Sequence, residues 1–184
     1  GLSTEVLRFD GMIASANTSY LAILFGAFVI QSLAEEILSR GFLLTSLARK
    51  TSLPLAIFVS STAFALPHLP SVLEAEGAFA VIGVVNLYLV SVVFSLLFLL
   101  RGNIYIVGGL HCMWNFVLYG VMGLAVSGSE ANPDALMGFE VTVENILSCG
   151  IYGLEASIVT TAVLGAVAAI LLTRYRKRGM KHGI

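Results

Sequence analysis

Residues 78–100 read AFAVIGVVNLYLVSVVFSLLFLL, a run without a single charged side chain. A helix needs about 20 mainly apolar residues to cross the hydrocarbon core of a bilayer. The run therefore predicts a transmembrane helix. Four further apolar runs accompany it, at residues 19–47, 53–69, 104–126 and 156–173. The predicted fold class is all-α, a polytopic helical membrane protein with about five transmembrane helices around an intramembrane cavity.

The composition supports this class. Only 11% of the 184 residues are charged, whereas soluble domains have about 25%, and the mean hydropathy is +0.94. The formal net charge of −1 provides no basic field that would attract DNA or RNA. Nucleic-acid binding is therefore excluded as a function. Cys112 and Cys149 lie far apart, and we expect both thiols to be unpaired.

Basic and acidic residues are predicted to lie at opposite ends of the helical bundle. One end carries Arg49, Lys50, Arg101 and the basic segment 174–181. The positive-inside rule predicts that this end, with the C-terminus, lies in the cytoplasm. The opposite connections, including a long loop over residues 127–155, contain no Lys or Arg and are acidic, with Glu74, Glu76, Glu130, Asp134, Glu140, Glu144 and Glu155.

Five spans leave residue 1 on the outer side, although no signal peptide precedes it. Missing upstream helices explain an outer N-terminus more simply. We therefore expect residues 1–184 to form a single membrane-embedded domain, the C-terminal part of a longer chain with at least one more span.

Ionisable side chains inside a membrane span are costly and are functional candidates by default. The first group is Glu35-Glu36-Ile-Leu-Ser-Arg40. Glu36 and Arg40 are spaced i, i+4 in the orientation that favours an ion pair. Glu35 lies about 100° around the helix from Glu36 and has no cation on its own helix. Glu35 is thus available as a general base, unless both carboxylates are simply solvated at a helix end.

Two more groups follow on later spans. In Phe64-Ala-Leu-Pro-His68 the aromatic ring and the imidazole share a helix face, and in His111-Cys-Met-Trp-Asn115 two hydrogen-bonding side chains do so. Alone, His68 is better explained as an interfacial histidine at a helix end, and the second pair is equally well a polar contact between helices.

The depths of these groups differ on straight helices. With a rise of about 1.5 Å per residue, Glu35 and Asn115 lie near the centres of their spans, and His111 lies about 6 Å away on the basic side. His68 lies about 9 Å away on the opposite side. The groups therefore meet only if helices tilt, stagger or distort near Pro67.

The ordered triplet Glu-Glu-x-x-x-Arg, Phe-x-x-x-His and His-x-x-x-Asn resembles the CPBP (Abi, CAAX amino-terminal protease) family of intramembrane proteases. This family includes type II CAAX prenyl endopeptidases and bacterial members linked to bacteriocin immunity. Pro67, directly before the histidine, departs from the usual pattern. The stretch 153–157 before the last span is also similar to bacterial members, although a charge at a helix N-terminus equally explains Glu155.

The resemblance implies an intramembrane endopeptidase of a bacterial or archaeal cell membrane. Glu35, assisted by His68, would activate the attacking water, and His111 with Asn115 would stabilise the oxyanion. Glu36 and Arg40 would provide structural support. The implied partners are membrane lipid and a peptide or protein substrate, either prenylated or otherwise anchored in the membrane.

The residues leave the cofactor open between none and zinc. Glu35, His68 and His111 make an acceptable three-ligand zinc set, but no His-Glu-x-x-His helix is present, and zinc ligation would leave no obvious base. A metal-free site uses all four groups and is the favoured hypothesis. A proton-coupled transporter and a non-catalytic immunity scaffold are the alternative function classes, although no related broken spans support a transporter.

Overall fold

The structure is a computed structural model, and it describes residues 7–13, 17–75, 77–143, 145–147 and 153–182, the side chains of 180–182 excepted. Glu76, Glu144 and Cys149 lie outside the described residues. Cys112 is buried and forms no disulfide.

Within these ranges, five helical segments are long and apolar enough to cross a membrane. This number confirms the predicted five spans and the assignment to integral membrane proteins. Many large apolar side chains on these segments are exposed, as expected for helices that face lipid. The spans are Thr18–Ala48, Leu53–Glu74, Ala78–Arg101, Ile104–Val121 and Ile158–Gly179.

The regular elements divide three of these spans. In chain order they are strand β1 (Leu7–Met12), helix α1 (Thr18–Glu36), a first π-helical segment (Ile37–Leu44), α2 (Thr45–Ala48), α3 (Leu53–Ala65), a 3₁₀ turn (Leu66–His68), α4 (Leu69–Glu74), α5 (Ala78–Arg101), α6 (Ile104–Asn115), a second π-helical segment (Phe116–Val121), strand β2 (Met137–Val141), a second 3₁₀ turn (Leu154–Ala156) and α7 (Ile158–His182).

Local sequence determines where several helices begin and end. The Asn17 side chain accepts a hydrogen bond from the Ser19 N–H at 2.9 Å, and Asn103 does the same for Tyr105 at the start of α6. Such side-chain caps satisfy the free N–H groups of a first helical turn. Gly102 ends α5 with φ +64°, a left-handed conformation that favours glycine.

Close packing brings the spans that carry the candidate residues together. Helix α1 lies against α6, and α5 packs against both α3 and α7. On α6, a Cβ atom at Gly108 would lie only 2.6 Å from Leu33 Cδ2. The absent side chain therefore lets α6 approach α1 one turn before His111 and just before Glu35.

π-helical segments occur at two of the three motif groups. The first begins inside the first group, at Ile37, and includes Arg40, and the second begins at Phe116, directly after Asn115. Such segments are rare and occur frequently at functional sites. The sequence analysis predicted regular helix at both places, and the wider turns are a correction to that expectation.

A two-stranded antiparallel sheet lies at the acidic end of the bundle, where the segment before α1 pairs with the long loop after α6. Strand β1 pairs with β2 with Phe9 opposite Phe139, and the two rings lie 5.1 Å apart. Arg8 pairs with Asp10 and with Glu140. The sequence analysis predicted only loop over residues 127–155, so β2 corrects that prediction. The strand forms because a distant segment supplies its backbone partner.

Candidate active site

A fully buried ion pair forms the base of the site. Arg40 Nη1 lies 2.9 Å from Glu36 Oε1, and both side chains are 0% exposed. Arg40 Nη2 donates to the Ser91 carbonyl at 3.1 Å and also to the Ser91 hydroxyl. The guanidinium lies over the rings of Phe64 and Phe94, at 4.5 and 5.5 Å from their centroids. The pair expected from the i, i+4 spacing is therefore present, across the boundary into the first π-helical segment.

Glu36 also contacts a histidine from another helix. The same oxygen, Oε1, lies 3.1 Å from His111 Nδ1. Because a carboxylate only accepts hydrogen bonds, Nδ1 carries a proton. In the neutral ring His111 Nε2 is then an acceptor, and it donates only when both nitrogens are protonated. The sequence analysis assigned Glu36 to Arg40 alone and missed this contact.

Glu35 has a different environment. Its side chain is 29% exposed, and Oε2 lies 3.9 Å from His111 Nε2, beyond hydrogen-bonding distance. Oε2 is buried and has no hydrogen-bond partner within the described part of the chain. Oε1 accepts from Gln31 Nε2 at 3.1 Å. The carboxylate thus lacks a cation on its own helix, as the spacing indicated, but it has a neutral local partner.

His68 lies where the second span is distorted. The 3₁₀ turn Leu66–His68 interrupts the helix, and Nδ1 lies 2.9 Å from the Phe64 carbonyl oxygen. The carbonyl accepts, so Nδ1 carries the proton and Nε2 is free. The Phe64 ring is 5.1 Å from the His68 ring and 5.8 Å from the His111 ring. Among the residues that the structure describes, no hydrogen bond or ion pair joins His68 to Glu35.

A pocket opens beside these rings, with about 40 Å³ of space that the centres of water-sized groups can occupy, enough for a few water molecules. His68, His111 and Asn115 line it, whereas Glu35 reaches the site only through His111. Apolar side chains from α5 and α7 form much of the remaining wall, and the other polar lining residues are Asn86, Ser127, Thr160 and Glu155.

Glu155 is a lining residue whose position the sequence analysis did not foresee. Its Oε1 accepts from Trp114 Nε1 at 2.8 Å, and its Oε2 accepts from the Ser127 N–H at 2.6 Å. Glu155 lies in the 3₁₀ turn that directly precedes the last helix, which begins at Ile158. Ser157 caps that helix, since its Oγ accepts from the Thr160 N–H at 2.9 Å. No spacing within the sequence relates Glu155 to Trp114, so no local pattern indicated the contact.

Burial raises the pKa of the Glu155 carboxyl group, and this effect outweighs the opposing effects of the two N–H donors and of nearby His68 and His111. The folded state therefore holds this proton more tightly than the unfolded state does, and stability is lost as pH rises through the folded-state pKa. We expect Glu155→Gln to flatten the decline of thermal stability that sets in as pH rises above about 4. Melting curves in detergent measure this, and equal slopes for both proteins would contradict it.

A zinc ion would need three of these side chains close together. Zinc ligand atoms lie about 2.0–2.2 Å from the metal. Among the described residues, no three His, Cys, Asp or Glu side chains are grouped closely enough to hold a metal ion. Glu35, His68 and His111 are therefore not grouped as a zinc-ligand set in this structure.

Comparison with known protein families agrees with the family that the order of the motifs indicates. The family described as "Rce1-like: Type II CAAX prenyl endopeptidase Rce1-like" matches residues 17–117, more than half of the chain. The matched region contains the three motif groups, the first three spans and most of the fourth span. Curated proteins and solved structures gave no match. The chain therefore belongs to the Rce1-like family of type II CAAX prenyl endopeptidases.

Proposed function

We propose that the protein is an intramembrane endopeptidase in which Glu35 activates a water molecule for attack on a peptide carbonyl. The observation that carries this proposal is the convergence of the three motif groups around Phe64 and His111. His68, His111 and Asn115 line one pocket, and the free oxygen of Glu35 lies 3.9 Å from His111 Nε2.

The proposed reaction begins with transfer of a water proton to Glu35, with the free Nε2 of His68 orienting the water. The water oxygen adds to the peptide carbonyl carbon and forms a tetrahedral intermediate. The C–N bond then breaks, and the proton held by Glu35 passes to the departing amine.

Asn115 and His111 are the proposed donors to the oxyanion of that intermediate. The Asn115 amide donates in any protonation state. His111 donates through Nε2 only when its ring is doubly protonated, because Glu36 holds the proton on Nδ1. Glu36 is therefore part of the oxyanion site through His111, in addition to its pairing with Arg40.

The proposed orientation has the basic end of the bundle and the C-terminus in the cytoplasm, supported by Arg49, Lys50 and Arg101 under the positive-inside rule. The proposed substrates are membrane-anchored peptides or proteins. A prenylated CAAX peptide and a bacteriocin-related peptide are the two classes to compare.

Hydrolysis by purified protein tests the proposal. The protein is incubated in detergent with a prenylated CAAX peptide and with solubilised membrane proteins, and new peptide termini are identified by mass spectrometry. We expect cleavage to continue after exhaustive chelation, with metal content measured in parallel. Loss of cleavage that stoichiometric zinc restores would contradict the metal-free site, and an absence of new termini in every sample would contradict the peptidase assignment.

A further inference from the structure

Glu155 is held rigidly in the wall of the pocket. Asn86 Nδ2 donates to the backbone carbonyls of Glu155 and Ser157 at 2.8 and 3.0 Å, and Asn86 Oδ1 accepts from Thr161 Oγ1 at 2.7 Å. These bonds fasten the 3₁₀ turn Leu154–Ala156 to α5 and α7. The carboxyl group is fixed separately by Trp114 and Ser127.

No side chain of opposite permanent charge accompanies Glu155. Among the described residues that line the pocket there is no Lys or Arg. Arg40 lies behind the rings of Phe64 and Phe94 and is paired with Glu36. The two histidines of the pocket belong to the proposed reaction. Glu155 therefore brings an uncompensated acidic group into a largely apolar cavity, a costly arrangement unless a proton or a cation balances it.

The surrounding end of the bundle has the same sign. Within the described ranges, Arg8 is the basic residue of this end, and it is already paired with Asp10 and Glu140. Several carboxylates share this end with it, and such a field attracts cationic ligands. They are Asp10, Glu74, Glu130, Asp134 and Glu140.

We propose that Glu155 is a specificity-determining residue, which binds a lysine or arginine side chain of the peptide substrate next to the scissile bond. The inference rests on the proposed function in taking a peptide as the ligand. Oε2 accepts from both the N–H and the hydroxyl of Ser127, whereas Oε1 accepts only from Trp114 among the described residues and keeps lone-pair capacity for a donor in the cavity. The cationic side chain supplies the charge that the pocket lacks, and its methylene groups cover the apolar wall.

Measuring peptide binding to a protein that lacks the proposed catalytic base tests this inference. The chain has a single tryptophan, Trp114, which donates to Glu155 and lines the pocket, so its fluorescence reports on occupancy. The probes are acetylated, amidated Ala-Leu-Ala-Lys-Leu-Ala, two isomers with the lysine at neighbouring positions, and the norleucine counterpart of each. All are titrated against Glu35→Gln protein in detergent, which removes the proposed base.

We expect at least one lysine peptide to bind about 10- to 100-fold more tightly than its norleucine counterpart, as for a charge-assisted hydrogen bond in a buried site. The difference should disappear in Glu35→Gln/Glu155→Gln and persist in part in Glu35→Gln/Glu155→Asp, which keeps the charge. Equal affinities for the two peptides at every position would overturn the inference, and so would a lysine preference that survives in the Glu155→Gln background.

The result is independent of hydrolysis. If the protein cleaves no peptide but the lysine preference depends on Glu155, only the proposed function fails. If cleavage occurs and Glu155→Gln weakens the binding of lysine and norleucine peptides equally, Glu155 is a clamp between Trp114 and Ser127, and the inference fails.

Discussion

Glu35→Gln is expected to lower kcat/KM for peptide cleavage by about 10³-fold or more, the loss typical for removal of a general base. The amide retains the shape of the carboxyl group but cannot take a proton from water. The fold should be unaffected, because the side chain is partly exposed and the remaining carbonyl oxygen can still accept from Gln31. Changes in the free energy of unfolding should stay within about 0.5 kcal/mol.

Steady-state cleavage and thermal melting of the same preparation measure these two effects. Gln31→Ala is the matched control, since it removes the hydrogen bond to Oε1 and leaves the carboxylate in place. It should keep most of the activity. In cells, membrane proteins that accumulate uncleaved in the Glu35→Gln strain identify the substrates. A variant that retains a tenth or more of the wild-type rate would show that another group activates the water.

Arg40→Leu is expected to destabilise the fold by about 3–5 kcal/mol, because it leaves Glu36 as a buried charge without its partner. Both side chains are 0% exposed, so water cannot replace the lost contact. Ser91 would also lose its donors. Chemical or thermal unfolding in detergent measures the effect.

The double variant Glu36→Gln/Arg40→Leu should recover part of the lost stability, since the uncompensated charge is gone. Arg49→Leu is the control for the loss of a positive charge, because Arg49 is exposed at the basic end and should change stability by about 0.5 kcal/mol at most. An Arg40→Leu protein as stable as the wild type would contradict the structural role of the pair.

Hydropathy alone predicted the five spans, because each apolar run is long enough to cross a bilayer and is bounded by charged or turn residues. Residue spacing predicted the Glu36–Arg40 pair, since both residues lie on one helix face. The motif order led to the family. These predictions succeed because they depend on local sequence or on the order of motifs along the chain. Both can be read without knowledge of how the helices pack.

The remaining features depend on contacts between segments that are distant in the sequence. The hydrogen bond from His111 to Glu36 joins residues 75 positions apart, and those from Trp114 and Ser127 to Glu155 span 41 and 28 positions. The pairing of β1 with β2 is of the same kind. The distortion that carries His68 was expected near Pro67, but its form as a 3₁₀ turn follows from the surrounding packing.

Phe64 packs against both the buried ion pair and the pocket. The Arg40 guanidinium lies 4.5 Å from the ring centroid, and the rings of His68 and His111 lie 5.1 and 5.8 Å away. An aromatic side chain suits this position because its π electrons attract the cation while its ring contributes to the pocket wall. The guanidinium is therefore kept out of the pocket lining, and His111 is the pocket residue that contacts the pair directly, through Glu36. A change of charge in the pocket would thus reach the buried pair through one imidazole ring.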